Sequence, residues 1–224
     1  MAKTEPFDLF YEEYDGWFEK HADLYRAELE ALGPLVRRFQ HGPSPRGAGA
    51  VGLEIGVGSG MFAAPLGCPL GVDPSMAMAV RARARGISVA LGVAEYLPVR
   101  AESLDYCLMV TTICFVDDPL GSLREAWRVL RPGGGIVVGF VDSESHLGRL
   151  YQERRGQSRF YRDAVFFSCK EVEELLEMGG FQIVRRVQAI FQHGPLDAVK
   201  EGCGEGSFVG MCGVKGPLRK EQAS

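Results

Sequence analysis

Short apolar runs alternate with helical patterns along most of the chain, starting near residue 50. Five such runs cover residues 50–55, 70–72, 87–91, 104–110 and 136–141. Apolar runs between helices are typical of parallel strands whose two faces are both buried. Two later strand patterns, at 181–191 and 207–214, have no helical segment between them, so we expect them to pair antiparallel at the sheet edge. The pattern predicts an α/β protein with one mostly parallel sheet.

Capping signals mark the ends of the predicted helices. Gly86 follows an Ala- and Arg-rich helical stretch and suits the left-handed position after a helix. Asp118 precedes a proline that fits the first position of a helix. Ser168 and Glu171 have the spacing of a capping box before an amphipathic stretch. We also expect a short helix at 61–66, directly after a group of glycines.

Proline and glycine divide the chain into two parts. Residues 1–46 begin with an acidic, aromatic segment and a helical pattern, and the Pro- and Gly-rich stretch at 42–47 predicts a linker. Residues 47–224 contain all of the predicted strands. Residues 142–167, before the capping box, are too many for a simple connection, so we expect a cap insertion there.

Composition narrows the class of protein further. The chain has 224 residues, with 25 Lys and Arg against 29 Asp and Glu and a formal net charge of −4. This balance argues against a nucleic-acid partner, which a basic face would bind. No apolar run approaches the roughly 18 residues that a membrane helix needs, and the acidic start lacks the features of a signal peptide. We therefore expect a cytoplasmic protein without a membrane partner.

The cysteines and histidines give no indication of a metal site. Six cysteines and four histidines are spread along the chain without short metal-ligand spacing. We therefore expect no metal. The cysteines need not form disulfides either, because a chain of this length has a large enough core to fold without them.

A glycine-rich loop follows the first predicted strand and carries the clearest chemical signal. Gly56, Gly58 and Gly60 let the backbone approach a ligand closely at the carboxyl end of the sheet. A dinucleotide fingerprint would require a third glycine at position 61, where the chain has Met61. Glu54 would also repel a pyrophosphate on this loop. Both observations favour S-adenosylmethionine, which has no phosphate and carries an ammonium and a sulfonium. A tight structural turn remains the alternative.

Asp73 ends the second predicted strand, where a carboxylate can accept hydrogen bonds from both hydroxyls of a ribose. The same role suits NAD, so Asp73 does not discriminate between the two cofactors, and capping of the next helix is its structural alternative. The loop at 92–98 would lie beside an adenine, with Ala94 and Tyr96 available for packing.

Five motifs in the same order identify a family. The chain resembles class I S-adenosylmethionine-dependent methyltransferases, especially the small-molecule group that includes the ubiquinone and menaquinone biosynthesis methyltransferases. The family's E/D-x-G-x-G-x-G loop matches residues 54–60, and its acid after strand two matches Asp73. Its G-D-A-E-x-L-P, S-F-D and L-R-E-x-x-R-V-L-x-P-G-G segments match 92–98, 103–105 and 123–134.

The resemblance implies a three-layer Rossmann-like fold with seven strands in the order 3-2-1-4-5-7-6, strand seven antiparallel, and helices on both faces. It implies that Glu54 and the glycines hold the methionine part, Asp73 the ribose and residues 93–95 the adenine. Thr111 would face the reaction centre, and the aromatic segment around Tyr14 would cover the cofactor as a lid. The implied cofactor-binding set is Tyr14, Glu54, Gly56, Gly58, Gly60, Asp73, Pro74, Ser75, Val93, Ala94, Glu95 and Thr111.

One position departs from the family pattern. Where the family usually has an aspartate to accept the adenine amino group, this chain has Val93. Either Glu95 or the backbone then supplies that contact, or adenine is bound more weakly.

The acceptor side gives fewer signals. Transfer of an activated methyl group is an in-line displacement that depends on orientation, and a general base is needed only if the acceptor must lose a proton. The cap insertion is rich in arginine, so Arg154, Arg155 and Tyr161 are candidates for binding an anionic or aromatic acceptor. A solvated charged face is the alternative. His146 is a weak candidate for a base, and no other catalytic residue is indicated.

These observations predict an enzyme that moves a methyl group from S-adenosylmethionine to a small-molecule acceptor and releases S-adenosylhomocysteine. Two alternatives stay open. A non-catalytic S-adenosylmethionine-binding module would bind the cofactor without turnover, and an NAD-dependent oxidoreductase would bind NADH instead. The oligomeric state is not indicated by the sequence.

Overall fold

The computed structural model describes residues 4–41, 49–190 and 198–216. The linker predicted at 42–47 lies outside these ranges. Among the described residues, no helix is long and apolar enough to cross a membrane. Nor does this part of the chain contain a group of three or more His, Cys, Asp or Glu side chains that could hold a metal ion.

The centre of the structure is one sheet of eight strands in the order β3-β2-β1-β4-β5-β8-β6-β7. The strands are β1 (Gly52–Ile55), β2 (Leu70–Asp73), β3 (Ser88–Leu91), β4 (Leu104–Val110), β5 (Leu130–Val141), β6 (Phe181–Ile190), β7 (Ala198–Glu201) and β8 (Phe208–Lys215). The first five strands pair in parallel, and β8 runs antiparallel to both β5 and β6.

The predicted order is confirmed, with β8 in the place of the predicted seventh strand. The predicted number of strands is wrong by one, because β7 adds an antiparallel edge strand beside β6. β7 has only four residues, Ala-Val-Lys-Glu, which is too short to give a hydrophobic period.

Seven α-helices accompany the sheet within the described residues. They are α1 (Glu5–Leu9), α2 (Tyr11–Lys20), α3 (Ala22–Gln40), α4 (Met76–Ala84), α5 (Pro119–Val129), α6 (His146–Glu153) and α7 (Cys169–Met178). Three predicted helix ends are confirmed: Asp118 caps α5, Ser168 and Glu171 form the capping box of α7, and Gly86 has a φ of +85° after α4.

The short helix predicted at 61–66 is wrong. Residues 61–67 instead form consecutive turns, in which the Cys68 amide reaches back five residues to the Ala63 carbonyl at 2.8 Å. The three glycines before this segment allow a tighter path than a regular helix, and the chain returns directly into β2.

Two hydrophobic layers enclose the sheet. The side chains of β4 alternate between them, with Tyr106, Leu108 and Val110 on one face and Cys107 and Met109 on the other. Helices α3 and α4 cover the first face, and α5 and α7 cover the second. This arrangement confirms the three-layer α/β fold.

The helices of the N-terminal segment contact different parts of the structure. α3 packs on β4, β5, β6 and β8 and is part of the core, whereas α1 contacts α4 and α2.

A disulfide joins Cys169, at the start of α7, to Cys203, which follows β7. Residues 142–167, the predicted cap insertion, contain α6, a single 3-10 turn at 155–157 and an irregular return toward α7.

Candidate functional site

A cavity of about 930 Å³ lies at the carboxyl ends of the parallel strands. Its floor includes Gly56 after β1, Asp73 at the end of β2, Val93 after β3, Thr111 after β4 and Val141 at the end of β5. Ligands of open α/β sheets bind in this position. The volume is near the upper end of the roughly 300–1,000 Å³ that small-molecule sites occupy, so two ligands can share it.

Two of the three loop glycines line this cavity. Gly56 has a φ of +69° and Gly58 a φ of +52°, a conformation that other residues rarely adopt. A side chain at Gly56 would also meet the Thr112 methyl group at 2.3 Å, and one at Gly58 would lie 3.4 Å from the Tyr14 hydroxyl oxygen. Gly56 therefore allows the close approach of Thr112, and Gly58 lies beside the Tyr14 hydroxyl group of α2.

The third loop glycine and the acid before the loop do not line the cavity. A Cβ on Gly60 would lie 2.5 Å from the Ile87 side chain and 3.3 Å from Ala82, so this glycine lets the loop pack on α4. Glu54 is 1% exposed beneath the loop, and its Oε2 has no hydrogen-bond partner among the described residues. Burial raises the pKa of Glu54 well above its usual range.

Asp73 connects the glycine loop to α4. Its Oδ2 accepts the Gly58 amide at 2.7 Å, and its Oδ1 accepts the Ser75 amide at 2.8 Å. Burial raises the pKa of Asp73 to about 6, against the two backbone hydrogen bonds that lower it. The alternative that Asp73 caps α4 is wrong, because the Ser75 hydroxyl accepts the Met78 amide and is the cap. The carboxylate lines the cavity and retains lone pairs for a further ligand.

The loop after β3 forms the next part of the wall. Val93, Ala94 and Glu95 all line the cavity. The Glu95 Oε1 accepts the amides of Asp117 at 2.9 Å and Asp118 at 3.2 Å, and so holds this loop against the start of α5. Both aspartates also line the cavity, although the sequence patterns had not indicated them.

Thr111 lies in a strained backbone conformation at the end of β4. Its φ is +49°, an outlier for a β-branched residue, and its amide donates to the Gly139 carbonyl at 2.7 Å. Strain of this kind costs of order 1–3 kcal/mol and is concentrated at functional sites. The bend directs the chain along the cavity wall, which Thr111 and Thr112 both line.

Helices α1 and α2 form a lid, which we define as residues 5–20. Ser75, at the start of α4, donates to the Asp8 carboxylate at 2.6 Å. Asp15 lies 3.1 Å from the Arg85 guanidinium and 3.8 Å from that of Arg81. The alternating arginines of α4, which could pass for a solvated face, therefore anchor the lid.

Loosening this anchor is expected to speed cofactor release. Asp15→Asn removes the charge that Arg81 and Arg85 share, and half-exposed pairs of this kind contribute about 0.5–1 kcal/mol. We expect the dissociation rate of S-adenosylhomocysteine to rise about two- to fivefold in stopped-flow fluorescence. Glu19→Gln, an exposed change on the same helix, is the matched control. Equal rates for Asp15→Asn and wild type would contradict the anchoring role.

An aromatic cluster forms the other end of the cavity, and we define it as Phe7, Tyr14, Phe115, Tyr151, Phe160 and Tyr161. Tyr161 stacks on Tyr151 at 5.2 Å and on Phe115 at 5.9 Å between ring centroids. Tyr14 and Phe160 meet edge to face at 5.9 Å. The rings come from the lid, the loop after β4 and the cap insertion. Sequence reasoning had singled out only Tyr14 and Tyr161 as site residues.

The charged candidates of the cap insertion separate in the structure. Arg154 lines the cavity, with its side chain exposed at the rim. Arg155 does not line it and donates to the Ala164 carbonyl at 3.3 Å. His146 is the exposed first residue of α6 and is also outside the cavity wall.

Glu28 is a cavity residue that sequence reasoning missed. It occupies the core-facing stripe of α3, one turn before Leu32 and two turns before Leu35, and is 7% exposed. Burial raises the pKa of Glu28 to about 8. An acid at a helical position that otherwise holds aliphatic residues was the available signal.

The fold and the cavity define a class I S-adenosylmethionine-dependent methyltransferase architecture, and comparison with known proteins agrees. Residues 53–138 match the methyltransferase domain family. A solved structure from Thermotoga maritima, a SAM-dependent methyltransferase named as a possible histamine N-methyltransferase, is 45% identical. It aligns over 95% of this chain and 99% of its own, with a TM-score of 0.86.

Two further relatives have uncharacterised functions. A protein of Methanocaldococcus jannaschii is 42% identical over 93% of this chain and 98% of its own length. A protein of Mycobacterium tuberculosis is 40% identical over 77% of this chain, and the match covers 59% of that relative's own length. The chain belongs to the S-adenosylmethionine-dependent methyltransferases.

Proposed function

We propose that this protein transfers a methyl group from S-adenosylmethionine to a small-molecule acceptor held in the same cavity, and releases S-adenosylhomocysteine. The observation that carries the proposal is the continuity of the cavity. One end has Asp73 and the glycine loop, and the other has most of the aromatic cluster, which Tyr14 connects to the loop at Gly58. A cofactor and an acceptor bound at these ends would meet near Thr111.

The residues at the first end fit the cofactor. The Asp73 carboxylate suits the ribose hydroxyls, and the backbone of Gly56 and Gly58 lines the cavity where the methionine part would lie. The Oε2 of Glu54 is unpaired and buried behind the loop, where burial raises the pKa of the group; a nearby ammonium would favour its ionised form, whereas a phosphate would oppose it. Val93 and Ala94 would border the adenine, with the Glu95 carboxylate already bound to two backbone amides.

When bound, S-adenosylmethionine supplies an activated methyl group, so the protein's task is to hold the acceptor in line and exclude water. The lid and the aromatic cluster cover the reaction end of the cavity. Orientation of this kind can contribute roughly 7–11 kcal/mol to lowering a barrier.

The concave, largely apolar wall with its aromatic cluster supports a small-molecule acceptor over a macromolecule. The name of the Thermotoga maritima relative, a possible histamine N-methyltransferase, supports the same size class. Tyr161 fits a role in the acceptor wall and Arg154 one at the rim, whereas Arg155 and His146 do not line the cavity.

Titration with two ligands tests the proposed cofactor. We expect S-adenosylhomocysteine to bind in isothermal titration calorimetry with a micromolar or lower Kd, because the loop and Asp73 are already arranged for it. NADH should give no heat, because Glu54 and Met61 disfavour a pyrophosphate on this loop. Binding of NADH without S-adenosylhomocysteine would overturn the proposal in favour of an oxidoreductase.

A further inference from the structure

We infer that the methyl acceptor is an amine, and that the buried carboxylate of Glu28 binds its nitrogen within the aromatic cluster. This inference rests on the proposed methyl transfer and adds the chemical class of the acceptor. It also assigns a substrate-binding role to a residue of α3, outside the family's cofactor motifs.

The position of Glu28 is unusual for an acid. It lies on the buried stripe of α3 with only 7% of its surface exposed, and that surface forms part of the cavity wall. Across the described part of the chain, no hydrogen bond or ion pair reaches its carboxylate, and burial alone accounts for its raised pKa. An unpaired buried acid destabilises the free protein, and a cationic ligand that pairs with it offsets this cost in the complex.

The surroundings of Glu28 suit a cation. Tyr14, Tyr151 and Tyr161 line the same cavity as Glu28. Burial is the main cause of the raised pKa values of these phenols, and the nearby Glu28 carboxylate raises them further. The three tyrosines come from the lid and the cap insertion and belong to the aromatic cluster. Ring faces attract an ammonium group through the ring quadrupole, and a carboxylate beside them adds a charge-assisted hydrogen bond.

The cationic side chains near the cavity do not reverse this preference. Lys20 and Arg154 line the cavity and are both exposed, so solvent screens their charges. Glu28 is buried, where the same charge acts in a lower effective dielectric. The interior of the acceptor end therefore favours an amine over the anion that the arginine-rich cap insertion led us to expect.

The reaction balances with the groups present. The raised pKa of Glu28 keeps this group protonated in the free site at pH 7, and its proton passes to solvent when an ammonium binds. The bound ammonium then gives one proton to the carboxylate, which leaves a neutral amine with a lone pair. That lone pair forms the new nitrogen–carbon bond, while the electrons of the sulfur–carbon bond stay on sulfur as S-adenosylhomocysteine forms. The methylated product keeps its positive charge, and the proton on Glu28 passes to solvent when the site opens. Glu28 then acts as a general base as well as a binding group.

Calorimetry of a ternary complex tests this assignment. Protein saturated with S-adenosylhomocysteine is titrated with phenethylamine, 3-phenylpropionate and phenethyl alcohol, which share a ring and differ in charge. We expect phenethylamine to bind at least tenfold more tightly than the other two. Glu28→Gln should weaken phenethylamine binding about 10- to 100-fold, while the Kd of S-adenosylhomocysteine changes less than threefold.

Two further variants separate charge from structure. Glu28→Asp keeps the charge and should recover part of the amine affinity, which a purely structural role would not predict. Glu30→Gln makes the same chemical change on an exposed position of α3, outside the cavity, and should behave as wild type.

The outcomes distinguish this inference from the proposed function. If S-adenosylhomocysteine binds but 3-phenylpropionate binds more tightly than phenethylamine, the amine assignment is overturned and methyl transfer stands. If Glu28→Gln mainly weakens S-adenosylhomocysteine, Glu28 belongs to the cofactor site and the inference is also overturned. Failure of the wild type to bind S-adenosylhomocysteine would overturn both.

Discussion

Asp73→Ala is expected to weaken S-adenosylhomocysteine binding about 100-fold at pH 7.5, which corresponds to about 2.7 kcal/mol. Alanine removes the acceptor for the ribose and also releases the backbone amides of Gly58 and Ser75, which Asp73 holds at 2.7 and 2.8 Å. Hydrogen bonds to a charged group contribute about 1.5–3 kcal/mol each, so losing the ribose contacts alone accounts for most of the effect. Calorimetric titration measures it directly.

Two controls make the Asp73 result specific. Asp23→Ala removes an exposed carboxylate that pairs only with a neighbouring arginine on α3 and should leave the affinity unchanged. Asp73→Asn keeps the size of the side chain but presents an amide donor to one of the two backbone amides, so it should lose nearly as much affinity as alanine. An affinity within threefold of wild type for both Asp73 variants would remove Asp73 from the cofactor site.

Glu28→Gln is expected to stabilise the protein, by about 3 kcal/mol in the free energy of unfolding at pH 7. The carboxyl group of an unfolded glutamate titrates near 4.5, whereas burial raises the pKa of Glu28 to about 8 in the folded protein. Each unit of difference between the folded and unfolded pKa values is worth about 1.36 kcal/mol. At pH 7, the part of this difference that lies below pH 7 contributes to the free energy of unfolding. Urea unfolding in the absence of ligand, followed by circular dichroism, gives the value.

The pH dependence gives this prediction its sign. Between about pH 4.5 and pH 8 the folded protein retains the Glu28 proton while the unfolded chain loses it, so wild-type stability falls as pH rises. Above about pH 8 both states are ionised and the loss is constant. Glutamine has no such dependence, so the gain should vanish near pH 4 and grow until about pH 8. Parallel stability profiles for the two proteins would show that Glu28 is ordinary and solvated.

The two Glu28 experiments describe one trade-off. A residue that lowers the stability of the free protein and raises its affinity for an amine is retained for binding, since nothing in the folding of α3 requires an acid at a core position. A stabilised variant with undiminished amine affinity would separate these effects and remove Glu28 from the acceptor site.

The sheet was predictable because each of its main strands corresponds to a recognisable apolar run in the sequence. The runs at 104–110 and 136–141 are apolar enough to be buried on both faces, and capping residues such as Asp118 and Ser168 mark the helices between strands. β7 has no such apolar run, because its four residues include a lysine and a glutamate. It pairs with β6 at the edge of the sheet. Local patterns therefore defined the architecture and missed its weakest strand.

The site was predictable only where a motif is continuous along the chain. The loop and Asp73 are read from adjacent residues, although the sequence could not show that Gly60 serves packing against α4 while Gly56 and Gly58 face the cavity. The aromatic cluster and Glu28 come together from distant segments. Their proximity depends on how α3 crosses the sheet and how the cap insertion returns, and neither path is encoded in a local pattern.

Transfer of an isotopic label tests the central claim most directly. The protein is incubated with S-adenosylmethionine that carries a deuterated methyl group, together with a panel of small amines, alcohols, thiols and carboxylates, and the products are identified by mass spectrometry. We expect the label to appear on an amine nitrogen, with S-adenosylhomocysteine formed in equal amount and with loss of both products in Asp73→Ala. Binding of S-adenosylhomocysteine without transfer of the label to any small molecule would contradict the account and leave a non-catalytic binding module.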